Sequence, residues 1–130
     1  MDNYSLVFSK QLVGMLLCIV VRDVHSPYVK DIKSNVAGCG LMGKMGNKGG
    51  VAIRFKLYDS TLCFVNSHLS AHAENAQRRN QDYKEICRRI VFTDDHGESF
   101  YTIFNHEFYL FIFFTIFYLV NFYFPVFYIG

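Results

Sequence analysis

Apolar and polar positions alternate most cleanly over residues 51–57, where Val51, Ile53 and Phe55 fall on one side and Ala52, Arg54 and Lys56 on the other. A period of two belongs to a strand with one face against a core. Asp59 and Ser60 supply a turn and residues 61–66 (TLCFVN) rise again, so the pair predicts an antiparallel hairpin. Upstream, residues 12–21 form an apolar run containing Val13, Ile19, Val20 and Val21, closed by Arg22 and Asp23. It reads as a buried strand, although a short apolar run does not by its period exclude a helix. Pro27 restricts the chain, and residues 28–32 are expected to make a brief helical turn. Residues 35–41 mix small and apolar side chains. Five glycines then fall between Gly40 and Gly50, which makes residues 42–50 a loop. Residues 67–73 leave the hairpin as a second loop. In residues 74–90, Tyr83, Ile86 and Ile90 recur at three and four positions while Arg78, Arg79, Asp82 and Glu85 face water or a neighbouring element, which predicts a helix. The order strand, loop, hairpin, loop, helix is that of an α/β or α+β domain.

The chain changes character after Phe92. Ten of the fourteen phenylalanines and five of the nine tyrosines lie in residues 93–130, and residues 108–129 carry no charge. Length and apolarity formally meet a transmembrane criterion, but neither end carries the Lys or Arg that orients and anchors a span. A membrane helix, a buried segment of a larger protein and a stretch foreign to the domain, such as a misplaced exon boundary creates, all fit. The abrupt break favours the third, so the expected division is a domain over residues 1–92 and an aromatic tail over 93–130.

Charge divides at the same place. All thirteen Lys and Arg residues lie at or before Arg89 and only seven of the eleven acids do, giving residues 1–92 a formal balance of +6. That suits an anionic partner, whether a phosphorylated small molecule, a lipid headgroup or a nucleic acid. The four cysteines form no CxxC pair and no Cys/His cluster, and the N-terminus lacks a signal-peptide pattern; both favour a reducing, cytosolic setting.

Candidate chemistry concentrates in two places. Residues 43–50 (GKMGNKGG) combine glycines, Lys44, Lys48 and the amide of Asn47, a composition suited to phosphate contact. They are not a nucleotide P-loop, because Gly49 follows Lys48 where a Ser or Thr is required. A tight exposed turn with solvated lysines fits the same composition. The second place is residues 66–72 (NSHLSAH) at the predicted end of a strand, where His68 is a candidate donor to a phosphoryl oxygen. A lone histidine is more often structural. His68 and His72 are four apart but lack the HExxH glutamate, which ranks zinc low.

In this order, GKMGNKGGVAIRF, FVNSHLSAH and RRNQDYKEI closely resemble the inositol-polyphosphate 5-phosphatases, nearest to the type II and Lowe-syndrome (oculocerebrorenal) forms. QLVGMLLCIVVRDVHSPYVKDI also fits, so the similarity covers most of residues 5–92. The resemblance implies a part of the endonuclease/exonuclease/phosphatase four-layer sandwich, with two mainly antiparallel sheets flanked by helices. It implies magnesium-dependent hydrolysis of the 5-phosphate of lipids such as PI(4,5)P2 and PI(3,4,5)P3 and of soluble inositol polyphosphates. It also implies peripheral contact with anionic membranes on their cytosolic face and no nucleic-acid partner. By the family pattern His68 contacts the scissile phosphate, Asn47, Lys48 and Asn66 are phosphate- or substrate-binding, and Arg78, Arg79, Asn80 and Tyr83 belong to a structural helix.

The family's N-terminal Asn, its magnesium-binding Glu, a Trp-x-Gly-Asp-x-Asn-Tyr-Arg block, a Cys-Asp-Arg block and a final Asp-His pair have no counterpart here, and the chain has no Trp. Asn105, His106 and Glu107 stand where the Gly-Asp-x-Asn block is approached, but the match stops there. No metal ligands are therefore assigned, and the isolated chain is expected to be inactive. Two rival readings are a metal-dependent nuclease of the same superfamily and a non-catalytic phosphoinositide-binding protein.

Overall fold

A computed structural model describes residues 3–39, 48–114 and 126–129. The apolar run at residues 12–21 is not one strand. Strand β1 (Tyr4–Leu12) and strand β2 (Met15–Arg22) pair antiparallel around a turn at Val13 and Gly14, where Val13 takes a positive φ of 49°. Hydrophobicity alone hid this turn because Val13 is apolar yet exposed at its tip. In β2 the period of two is plain: Met15, Leu17, Ile19 and Val21 are buried and the residues between them are half-buried. The helical turn expected at residues 28–32 lies earlier, as a 3-10 turn at Ser26–Tyr28 with Pro27 in its first positions. Pro27 pre-sets φ for that turn, and the following residues enter strand β3 (Val29–Gly38) instead.

Strands β4 (Gly49–Leu57) and β5 (Ser60–His68) form the expected hairpin, in register from Leu57↔Ser60 to Gly49↔His68. Its turn is at Tyr58 and Asp59, one residue earlier than the sequence suggests, with Tyr58 at a φ of 54°. Strand β3 pairs antiparallel with β4. Helix α1 (Ala76–Arg89) follows a 3-10 turn at Ala73–Asn75, and its last turn carries Arg88 and Arg89, the favourable sign for the helix C-terminus.

The described part of the aromatic region is mostly extended. Strand β6 (Val91–Thr93) pairs with β7 (Phe100–Thr102), and a 3-10 turn at Ile103–Asn105 is closed by a reciprocal Thr102/Asn105 capping box. Strand β8 (Phe108–Phe114) joins β5 in parallel, and β9 (Val126–Ile129) joins β2 in parallel. Among the described residues no helix is long and apolar enough to cross a membrane.

Two sheets result, β1-β2-β9 and β3-β4-β5-β8, besides the small β6-β7 pair. Leu17, Ile19 and Val21 meet Val51, Ile53, Phe55 and Phe64 between the two sheets. The opposite face of the four-stranded sheet, through Ala52, Cys63 and Val65, packs on Ile86, Ile90, Phe92 and Ile103. The alternation read in residues 51–56 is thus a division between two cores, each fully buried large side chain adding roughly 1.5–3 kcal/mol. This is the mixed α/β arrangement of mainly antiparallel sheets with a flanking helix that the resemblance implies. All four cysteines are free; burial pushes the Cys39 thiol up to about 11 and the Cys63 thiol up to about 12.

Candidate functional site

The β4–β5 register brings two predicted site residues together. Gly49 pairs with His68, so Lys48, immediately before β4, stands beside the last residue of β5. The Lys48 ammonium Nζ lies 2.8 Å from His68 Nε2. An ammonium only donates, so it donates to the imidazole lone pair, which fixes the ring proton on Nδ1. Burial lowers the Lys48 pKa, against a smaller opposite pull from Asp82. A half-buried cation beside a neutral ring is a pair of nitrogen groups suited to an anion's oxygen.

Asn66 lies two residues before His68, on the same face of β5, but fully buried between the sheets. Its Nδ2 donates to the Leu16 carbonyl at 3.3 Å, tying β5 to β2, while its Oδ1 has no hydrogen-bond partner among the described residues. Ser67, on the other face, donates from Oγ to the Ile112 carbonyl at 2.9 Å and so holds β8. Asn47 lies outside the described residues, as does the rest of the glycine loop over residues 40–47.

The last two glycines of the loop motif have a packing reason. A Cβ on Gly49 lies 3.1 Å from Gly38 Cα and closer still to the Ala37 carbonyl oxygen, and Gly49 has a φ of 152°. A Cβ on Gly50 lies 2.9 Å from Ile86 Cγ2. One glycine lets β3 approach β4 at the site, and the other lets the helix sit down on the sheet.

Asp82 is the functional-scaffold residue that sequence reasoning assigned only to water or a neighbour. It is 1% exposed and accepts from Ser70 N at 2.9 Å, Ser70 Oγ at 2.7 Å and Arg78 Nε at 3.0 Å. From the same helix, Arg78 donates to the Cys39 carbonyl at 2.9 Å, Arg89 to the Gly38 carbonyl at 2.6 Å, and Arg79 to the His72 carbonyl. One helix therefore grips both the chain entering the glycine loop and the chain leaving His68. The spacing of Asp82 four residues after Arg78 and four before Ile86 was the available signal.

Among the described residues no three His, Cys, Asp or Glu side chains converge as a metal site. The described polar groups at this end of the hairpin include the Lys48 ammonium, the buried Asn66 amide and, acting on Lys48, the Asp82 carboxylate that Ser70 and Arg78 already engage. That set does not suit magnesium, which takes oxygen ligands, usually carboxylates, with several waters.

Comparison with known proteins identifies the family. The chain belongs to the Endonuclease/Exonuclease/phosphatase family 2, whose family model matches residues 1–114. It is 45% identical over 106 residues to the type II inositol 1,4,5-trisphosphate 5-phosphatase of Mus musculus, covering 81% of this chain and 11% of that protein. It is 39% identical over 106 residues to synaptojanin-2 of Homo sapiens, covering 82% of this chain and 7% of that protein. Among solved structures, the inositol polyphosphate 5-phosphatase domain of SPsynaptojanin, in complex with inositol (1,4)-bisphosphate and calcium ion, superposes with a TM-score of 0.74 at 36% identity. That match covers 87% of this chain and 31% of the solved chain. Within its family the chain therefore corresponds to a part of an inositol-polyphosphate 5-phosphatase catalytic domain.

Proposed function

We propose that this chain supplies the phosphate-holding side of an inositol-polyphosphate 5-phosphatase, a phosphoric monoester hydrolase acting on PI(4,5)P2, PI(3,4,5)P3 and soluble inositol polyphosphates at the cytosolic face of anionic membranes. The carrying observation is the 2.8 Å Lys48–His68 pair at the end of the central hairpin. On binding, a phosphoryl oxygen takes the ammonium hydrogen that Lys48 otherwise gives to His68. The freed Nε2 then takes up a proton from solvent, and the resulting imidazolium donates through it to the same group. Both donors gain strength as charge builds on the phosphoryl oxygens during attack by water. The liganded relative supports the bond chosen: inositol (1,4)-bisphosphate is what remains when inositol 1,4,5-trisphosphate loses its 5-phosphate. Magnesium dependence belongs to the same proposal, with its carboxylate ligands supplied by parts of the complete enzyme other than this chain. The net charge of +6 over residues 1–92 supports an anionic headgroup partner.

The test is made in a full-length catalytic domain carrying this segment, with phosphate release measured from inositol 1,4,5-trisphosphate and from PI(4,5)P2 vesicles. His68→Ala is expected to lower kcat by about 100-fold, the scale of losing one preorganised donor. A loss below tenfold overturns the role given to His68. Cleavage of DNA with no phosphate release from either inositol substrate transfers the chain to the nuclease branch of the superfamily.

A further inference from the structure

The outer face of the four-stranded sheet carries two like-charge pairs in succession, far from the Lys48–His68 site. In the β3–β4 register Lys33 lies directly opposite Arg54, and Lys30 directly opposite Lys56. Arg54 and Lys56 are two residues apart on β4 and so share a face. Like charges directly opposite each other destabilise an antiparallel pair unless something neutralises them.

The inner pair is neutralised by the protein itself. The register shift between Lys30 and Lys33, with Asp31 at a φ of 53°, turns Asp31 onto Arg54, whose guanidinium binds both its carboxylate and its carbonyl oxygen. Lys33 reaches Asp31 at 3.5 Å, Asp95 at 3.1 Å and the Thr93 carbonyl. The remaining nearby acid, Asp94, accepts from the backbone N–H groups of His96 and Glu98 in its own turn. Arg54 also lies 5.6 Å from the centre of the Tyr101 ring.

The outer pair has no such partner. Among the described residues neither Lys30 nor Lys56 has an ion-pair or hydrogen-bond partner. Both line one open cavity of about 550 Å³ with Lys33, Tyr101 and three carboxylates, Asp31, Asp94 and Asp95. Asp31 and Asp95 are engaged by Arg54 and Lys33, and Asp94 by the backbone N–H groups of its own turn, so the two lysines are left to an acceptor from outside, and a compact dianion offers both of them oxygens where a single carboxylate offers fewer. We propose that the Lys30–Lys56 pair is a binding site for a phosphate monoester dianion, separate from the hydrolytic site. Lys56 is seven residues along β4 from Gly49, the partner of His68, or about 23 Å at the rise of a strand.

The test uses the 130-residue chain carrying Lys48→Gln and His68→Ala, so that both phosphate donors of that site are gone. Inorganic phosphate at ten times its Kd is expected to raise Tm by about 5 °C over chloride of equal ionic strength. Adding Lys30→Gln and Lys56→Gln is expected to abolish that rise and, in phosphate-free buffer, to leave Tm unchanged or higher, because a repulsion has gone. Should that variant fold poorly, reductive 13C-methylation of the parent gives a second readout, in which the Lys30 and Lys56 resonances shift on phosphate titration. Sedimentation with phosphatidylcholine vesicles containing PI(4)P, lost in the Lys30→Gln/Lys56→Gln variant, assigns the phosphate to a lipid headgroup; a response to free phosphate without vesicle binding assigns it to a soluble ester. A phosphate response of equal size in the variant, no response in the parent, or tighter binding of poly-glutamate than of phosphate overturns the proposal.

Discussion

Replacing Gly49 by alanine strikes the contact that sets the site. The new Cβ lands within 3 Å of the Ala37 carbonyl oxygen, which belongs to the backbone of β3 and has no side-chain freedom with which to yield. It also forces an L side chain onto a φ of 152°. Overpacking costs roughly 1–3 kcal/mol and a disfavoured backbone region another 1–3 kcal/mol, together about 2–6 kcal/mol. With an unfolding entropy of about 2.1 cal/mol/K per residue, a chain of this length loses about 4 °C per kcal/mol, so Tm should fall by about 8–24 °C. Gly50→Ala is the internal control. Its Cβ meets the buried Ile86 side chain, at 2.9 Å from Cγ2, and no backbone; overpacking of roughly 1–3 kcal/mol is partly offset by the roughly 0.4–1 kcal/mol that the stiffer unfolded chain returns, so Tm should fall by no more than about 10 °C. Thermal melts by circular dichroism measure both, and 15N shifts of the His68 ring report whether Lys48 has moved away from it. Equal losses for the two variants, or a smaller loss for Gly49→Ala, would refute the claim that backbone crowding is what makes Gly49 a glycine.

Asp82→Ala removes the acceptor shared by Ser70 and Arg78 and should cost about 3–5 kcal/mol in a urea titration; by contrast Glu85→Ala, which breaks an exposed 2.8 Å pair with Arg88, should cost under about 0.5 kcal/mol. The pKa of buried His106 is lowered by burial and by Arg54, which donates to its Nε2 at 3.1 Å while its Nδ1 donates to the Ile103 carbonyl. The unfolded chain therefore binds the proton more readily, so stability is complete above the ordinary histidine value of 6.5 and declines as pH falls below it toward the lowered folded value. Melts from pH 8 to 5 should show a shallower acid decline in His106→Gln than in the wild type. Thiol labelling of the native chain at pH 8 should spare Cys39 and Cys63, whose thiols are buried and held at about 11 and about 12, and modify Cys18 and Cys87 first.

Short-range order wrote the hairpin and the helix into the sequence. Alternation at Val51, Ile53 and Phe55 and the spacing of Tyr83, Ile86 and Ile90 report burial faces that neighbouring residues share, so local reading reaches them. The motifs beside them carried the family. The β1–β2 turn escaped because Val13 is apolar at an exposed tip, and β8 lay inside an aromatic run whose composition suits strand and membrane helix alike.

Tertiary structure alone decided which polar groups meet. Lys48 and His68 are twenty residues apart and touch because of strand register, Asp82 reaches Ser70 from a separate helix, and Lys30 faces Lys56 across two strands. Periodicity tells each residue which face it occupies. The identity of its partner is fixed only when distant segments pack, because the free energy that aligns them comes from cores shared between elements and not from any one stretch of chain.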